Sequence, residues 1–202
     1  MTVPVTLPAP GAAELLAAAA AAGLTATAAA CWPETGAEDT VAPLAGFIES
    51  AFSPLIAEVA GRALQRRLRS RADQDRVPPD GGETAASGPG PVTAIVLVTS
   101  LGDLTSAARV AAAVDAGRRV APLLFFQSVP NAVAGYLAAR WHLTGPVVCV
   151  SGTGAGVDAA ALLLRDADAD EVLLVRADLG MAGAGDRAAA LLVTGPTGWP
   201  AS

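Results

Sequence analysis

Apolar and polar positions fall into blocks that read as alternating strands and helices, most regularly in the second half of the chain. Thr93 to Thr99, Val147 to Ser151, Glu171 to Ala177 and Ala189 to Thr194 are near-continuous aliphatic runs, the pattern of strands buried on both faces. Helical spacing holds over Leu104 to Ala116 (ended by Gly117), over Ala132 to Trp141 and over Val157 to Ala167. Earlier in the chain, Val3 to Leu7 reads as a short strand, Ala12 to Ala22 as a helix ended by Gly23, and Thr25 to Trp32 as a further strand. Ser53-Pro54 predicts a helix start with Ser53 as N-cap, and Leu55, Ile56, Val59, Leu64 and Leu68 form its apolar face. Its arginines (Arg62, Arg66, Arg67, Arg69, Arg71) are expected towards the C-terminal end, where the helix dipole favours cations. Pro33 to Pro43 and Pro78 to Pro91 read as loops, the second exposed and mobile. The alternation implies an α/β fold with a largely parallel sheet covered on both faces, and no repeat at a fixed period is present.

Composition narrows the classes. The chain of 202 residues suits a single domain spanning 1–202 with a core of its own. Hydrophobic residues make up 52%, but many are alanine and bring little burial each. All 13 basic residues are arginine and the net charge is −6, which argues against nucleic acid as the main partner. Cys31 and Cys149 form no disulfide framework and no CxxC pair, and Cys149 reads as a small buried apolar residue. A single histidine, His142, argues against a His-based metal site or a Ser-His-Asp triad, and no cofactor is expected. The Ala-rich stretch from Gly11 to Ala30 has no basic lead, contains Glu14, and falls short of the roughly 18 apolar residues that span a bilayer. The expectation is a soluble, cytoplasmic protein that does not engage membranes.

Candidate chemistry concentrates at Ser151-Gly152-Thr153-Gly154-Ala155-Gly156, between a strand and a helix start. Such an elbow presents one side chain at a helix N-terminus, where orphan N–H groups and the dipole favour negative charge. The residue at the apex is Thr153, whose hydroxyl is a poor nucleophile without a nearby base. The glycines at 152, 154 and 156 also suggest a phosphate loop and hence a nucleotide-binding alternative. The dinucleotide fingerprint would need glycine where Val157 stands, and only Asp178 is available as the later acidic residue.

Around the elbow lies an ordered set of segments: Phe125-Phe126-Gln127-Ser128-Val129-Pro130-Asn131-Ala132-Val133-Ala134-Gly135-Tyr136, then Leu143-Thr144-Gly145-Pro146, the elbow, Asp158-Ala159 and Val172 to Asp178. In this combination, from about Thr93 to Thr194, the chain resembles the β-ketoacyl synthases of the thiolase-like superfamily. Arg66-Arg67 and Ser100-Leu101-Gly102-Asp103 add a similarity to the short β-ketoacyl-synthase-like N-terminal proteins of aryl-polyene and polyketide-type pathways. The resemblance implies the N-terminal half of a thiolase-like fold, with a mostly parallel, five-stranded mixed sheet. It places Thr153 where the family carries its acyl-accepting cysteine. It also places the two catalytic histidines in a C-terminal half with no counterpart in this sequence, so condensation by this chain alone is not expected.

Chain-length factors, which resemble ketosynthases and lack the nucleophile, show similar losses. The resemblance therefore implies a non-catalytic subunit that pairs with an active ketosynthase in polyketide, polyene or fatty-acid-type elongation, with acyl carrier protein engaged through that partner. Phe126, Gln127, Asn131 and Tyr136 are the residues expected to touch the partner or line its acyl channel. The competing reading is a condensing or acyl-transfer enzyme that uses Thr153 or Cys149. The Arg62 to Arg76 cluster reads either as a landing face for an acidic carrier protein or as a solvated helix face interleaved with Asp73 and Asp75.

Overall fold

Side-chain alternation along the strands sets the architecture. The structure, a computed structural model, describes residues 10–35, 40–47, 50–75, 90–120, 122–180, 185–196 and 199. In chain order the elements are α1 (Pro10–Ala21), β1 (Thr25–Trp32), α2 (Phe52–Asp75), β2 (Thr93–Val98), α3 (Leu104–Asp115), α4 (Pro122–Gln127), α5 (Asn131–Trp141), β3 (Val147–Val150), α6 (Thr153–Arg165), β4 (Glu171–Asp178) and β5 (Arg187–Thr194). The strands form one sheet in the order β1-β5-β4-β2-β3. Strand β2 pairs in parallel with β3 and β4, while β5 runs antiparallel between β4 and β1. Four strands thus share a direction and β5 opposes them, a mixed sheet of the expected kind.

Both faces are covered because both sets of alternating side chains are apolar. Ile95, Leu97, Leu173, Val175, Ala190 and Leu192 point to one face and pack with Leu55, Ile56 and Val59 of α2 and Val133 and Leu137 of α5. Ala94, Val96, Val98, Leu174, Leu191 and Val193 point to the other, under Leu15 of α1 and Val157, Ala160 and Leu164 of α6. Helices α3 and α4 pack on each other beside these layers. The turn Leu143-Thr144-Gly145-Pro146 lies directly on the start of β2. Gly145 N–H donates to the Thr93 carbonyl at 3.1 Å, and a Cβ at 145 would sit 2.6 Å from the Ala94 nitrogen, so only glycine fits.

Several expectations shift in detail. The Ser50 hydroxyl, rather than Ser53, serves the first turn of α2 by accepting the Ser53 N–H at 2.8 Å. Helix α2 continues to Asp75, so Arg62 to Arg71 lie in its interior instead of at the C-terminal dipole. There Arg62 and Arg66 pair with Glu34 and Arg67 with Glu171, carboxylates outside the helix, while Arg62 also pairs with Glu58 one turn away on α2 itself. Helix α6 begins at Thr153, four residues earlier than expected, because the glycine-rich stretch packs closely enough to continue as helix. The short α4 was not foreseen, since six residues carry too little periodicity. The strand expected at Val3 to Leu7, Arg76, and most of the loop expected at Pro78 to Pro91 lie outside the described residues.

One clip ties the far end of the sheet to α2. Glu171, at the start of β4 and 4% exposed, lies 2.6 Å from Arg67 Nη2 and accepts the Arg67 Nε–H at 2.9 Å. It also accepts the Thr93 hydroxyl at 2.6 Å from its register partner on β2. Removing the charge leaves a guanidinium that is 12% exposed without its counter-ion. We expect Glu171→Gln to cost about 3 kcal/mol. The thermal midpoint, followed by circular dichroism, should fall by roughly 6–12 °C. A change within 1 °C would mean that the pair does not support the sheet.

Candidate functional site

The elbow sits where β3 hands over to α6 at the C-terminal end of the parallel strands. Gly152 takes φ 89° and ψ 137°, a conformation that L side chains rarely adopt, and thereby turns the chain sharply into α6. At Gly156, in the first helical turn, a Cβ would run into Val98 Cγ2. This absence of a side chain lets α6 press onto the end of β2 and fixes where Thr153 stands. Ser151, Gly152 and Gly154 are exposed, and Thr153 is half-buried.

Two side chains converge on Thr153, and a third braces one of them. Arg176, placed beside Val98 by the β2–β4 register, donates from Nη1 to Thr153 Oγ1 at 3.0 Å. The same Nη1 lies 2.8 Å from Glu14 Oε2 on α1, and Arg176 Nε donates to Asp178 Oδ2 at 3.0 Å. The Thr153 hydroxyl completes the circuit by donating to Glu14 Oε1 at 3.5 Å. Burial works against the charge on Arg176, but the hydrogen bonds to Glu14 and Asp178 outweigh it and hold the guanidinium above the usual arginine value.

This arrangement is a poor one for nucleophilic attack. A lone pair of the hydroxyl is occupied by a guanidinium, and its proton faces a carboxylate at the long limit of hydrogen bonding. That carboxylate is 60% exposed, and a solvated carboxylate is a weak base towards an alkanol. His142 gives no help. It ends α5 in a left-handed conformation, at the turn that contacts the start of β2, opposite to the elbow. Cys149 is on β3, but its side chain packs on the α2/α5 face, whereas Val148 and Val150 face α6. Burial pushes the Cys149 thiol above its ordinary value. Thr153 and Cys149 therefore do not share a site.

The four residues expected at an interface separate. Phe126 is 64% exposed on α4, alongside Phe125 at 64% and Leu123 at 63%, and Asn131 is exposed at the start of α5. Gln127 is buried. Tyr136 is half-buried, edge-on to Phe47 with ring centroids 6.0 Å apart, and lines a groove of about 270 Å³ with Trp141, Arg140 and Pro43. Glu14 and Arg176 were not singled out as site residues, and Asp178 only as the acidic residue of the nucleotide-binding alternative. A signal was present: Arg176 is the one cation in the apolar run of β4, and Glu14 the one charge in α1.

The family described as "Beta-ketoacyl synthase, N-terminal domain" matches residues 82–182, half of the chain, including β2 to β4 and the elbow. The chain belongs to that family. Solved structures agree with the family's fold. A chain of the ketosynthase ApeO in complex with its chain length factor ApeC from Xenorhabdus doucetiae superimposes with a TM-score of 0.62 at 17% identity, over 87% of this chain and 80% of that one. A chain of the ishigamide ketosynthase/chain length factor gives 0.54 at 19% identity, over 75% of this chain and 45% of that one, so this member spans under half of that neighbour. No curated protein matches the sequence. Among the described residues no helix is long and apolar enough to cross a membrane.

Family membership makes the thiols worth measuring. Because burial raises the Cys149 pKa, less thiolate is present at neutral pH and reaction with iodoacetamide slows. At pH 7.5 we expect Cys149 to alkylate at least about tenfold more slowly than free cysteine, as read by peptide mass spectrometry. Cys31, 1% exposed, should react only on unfolding. Alkylation of Cys149 as fast as free cysteine would contradict this placement.

Proposed function

We propose that this chain is a non-catalytic, chain-length-factor-like subunit that pairs with an active, cysteine-bearing ketosynthase during elongation of a polyketide, polyene or fatty-acid-type chain. The observation that carries this reading is the state of position 153. The family's nucleophile position holds a threonine tied to Arg176 and Glu14, with His142 at the opposite end of the sheet and Cys149 on the opposite face. The likeness to chains of two ketosynthase/chain length factor structures supports the same reading. Acyl carrier protein is reached through the ketosynthase, and the pair works in the cytoplasm.

The surface offered to the ketosynthase is the one around α4 and the sheet edge at β3. Leu123, Phe125 and Phe126 on α4 and Val147 on β3 are large apolar residues exposed to water. Exposed aromatic residues of this kind are the usual anchors of a protein interface. With Gln127 buried and Tyr136 turned towards Phe47, the aromatic pair Phe125 and Phe126 is the sharper target.

Co-expression with the ketosynthase of the same pathway, followed by size-exclusion with mass determination and an elongation assay, tests the proposal. The expected result is a stable one-to-one complex that elongates only when both chains are present. The double substitution Phe125→Asp/Phe126→Asp should weaken that complex by about thirtyfold or more, since interface hot spots contribute roughly 2 kcal/mol or more each. Two separate peaks, with the ketosynthase fully active alone, would overturn the reading.

A further inference from the structure

Besides its threonine, the elbow carries a contact from α1 that involves no ketosynthase partner. Helix α1 packs on β1, β5 and α6 through Ala12, Leu15 and Ala19, with Leu16 partly buried against the same cluster. Its remaining hold on the elbow is polar: Glu14 bridges Arg176 and Thr153. Among the described residues, the charged groups of the network at Thr153 are the Arg176 guanidinium and two carboxylates bound to it, Glu14 and Asp178. Without Glu14, the guanidinium 3.0 Å away and the positive end of the α6 dipole would both favour an anion at that position. With Glu14 in place, a carboxylate 3.5 Å from the same atom opposes it.

We propose that helix α1 is an autoinhibitory strap: by carrying Glu14 onto Arg176 and Thr153 it keeps the nucleophile position of the elbow chemically silent. The strap removes the electrostatic advantage that the fold otherwise builds at this helix start. Loss of the thiol and closure by α1 are two separate locks on the same atom position. Restoring a thiol therefore opens only one of them.

The test uses the full chain with a thiol as reporter. Thr153→Cys and Thr153→Cys/Glu14→Gln are alkylated with iodoacetamide at pH 7, and modification of position 153 is followed by peptide mass spectrometry. A neighbouring carboxylate raises a thiol's pKa, so its removal increases the thiolate fraction. The double variant should therefore react about tenfold faster. Glu58→Gln, which removes a carboxylate paired with Arg62 on α2, should leave the rate of Thr153→Cys unchanged. Hydrogen exchange supplies a second reading without any change at Thr153: Glu14→Gln alone should speed amide exchange in α1 and in the first turn of α6 several-fold. Equal alkylation with and without Glu14, or unchanged exchange in Glu14→Gln, would overturn the proposal.

Discussion

The guanidinium of Arg176 holds together parts of the molecule that would otherwise meet only through apolar packing. It extends from β4, receives its neighbours Glu14 from α1 and Asp178 from its own strand, and ends on the hydroxyl of Thr153 at the start of α6. A charged group at this depth is tolerable only because each side of it is matched by a carboxylate or a hydroxyl. Its position in turn depends on two backbone facts. The β2–β4 register sets Arg176 beside Val98, and the missing Cβ of Gly156 lets α6 close down on that same valine. Register and close approach place the guanidinium under Thr153; charge does the rest.

The remainder of the fold is built from two apolar layers on one sheet, and its polar fastenings lie at the two ends of the strands. At one end Glu171 joins Arg67 and Thr93, and at the other Arg176 joins Glu14, Thr153 and Asp178. The first fastening is deeply buried and serves the packing of α2 on the sheet. The second is half-exposed, contributes less to stability per contact, and lies at the elbow between β3 and α6. The same kind of interaction thus fastens a helix to the sheet at one end and occupies the Thr153 hydroxyl at the other.

The strands β2 to β5 were legible because their apolar runs are long and bounded by turn residues, and β1 was placed correctly over Thr25–Trp32. The elbow was legible as a motif, down to the threonine at its apex. Its state was not, because Glu14 and Thr153 are 139 positions apart and local pattern carries no information on such a pair. The arginines of α2 were misplaced for a related reason. Read along the helix they suggest a dipole effect, whereas their partners Glu34 and Glu171 come from other elements. Glycine hid the true start of α6, since its low helix propensity is overridden by the packing of Gly156 on Val98. Burial of Gln127 and the turn of Tyr136 towards Phe47 are likewise tertiary outcomes that spacing within one segment does not reveal.

The central claim is that position 153 carries no acyl group in this chain. Its most direct measurement is intact-mass spectrometry of the purified protein after incubation with a simple acyl thioester, with any adduct mapped by peptide analysis. The account predicts an unchanged mass over hours at neutral pH. A stoichiometric acyl adduct on Thr153 would contradict it and make this chain an acyl-transfer enzyme in its own right.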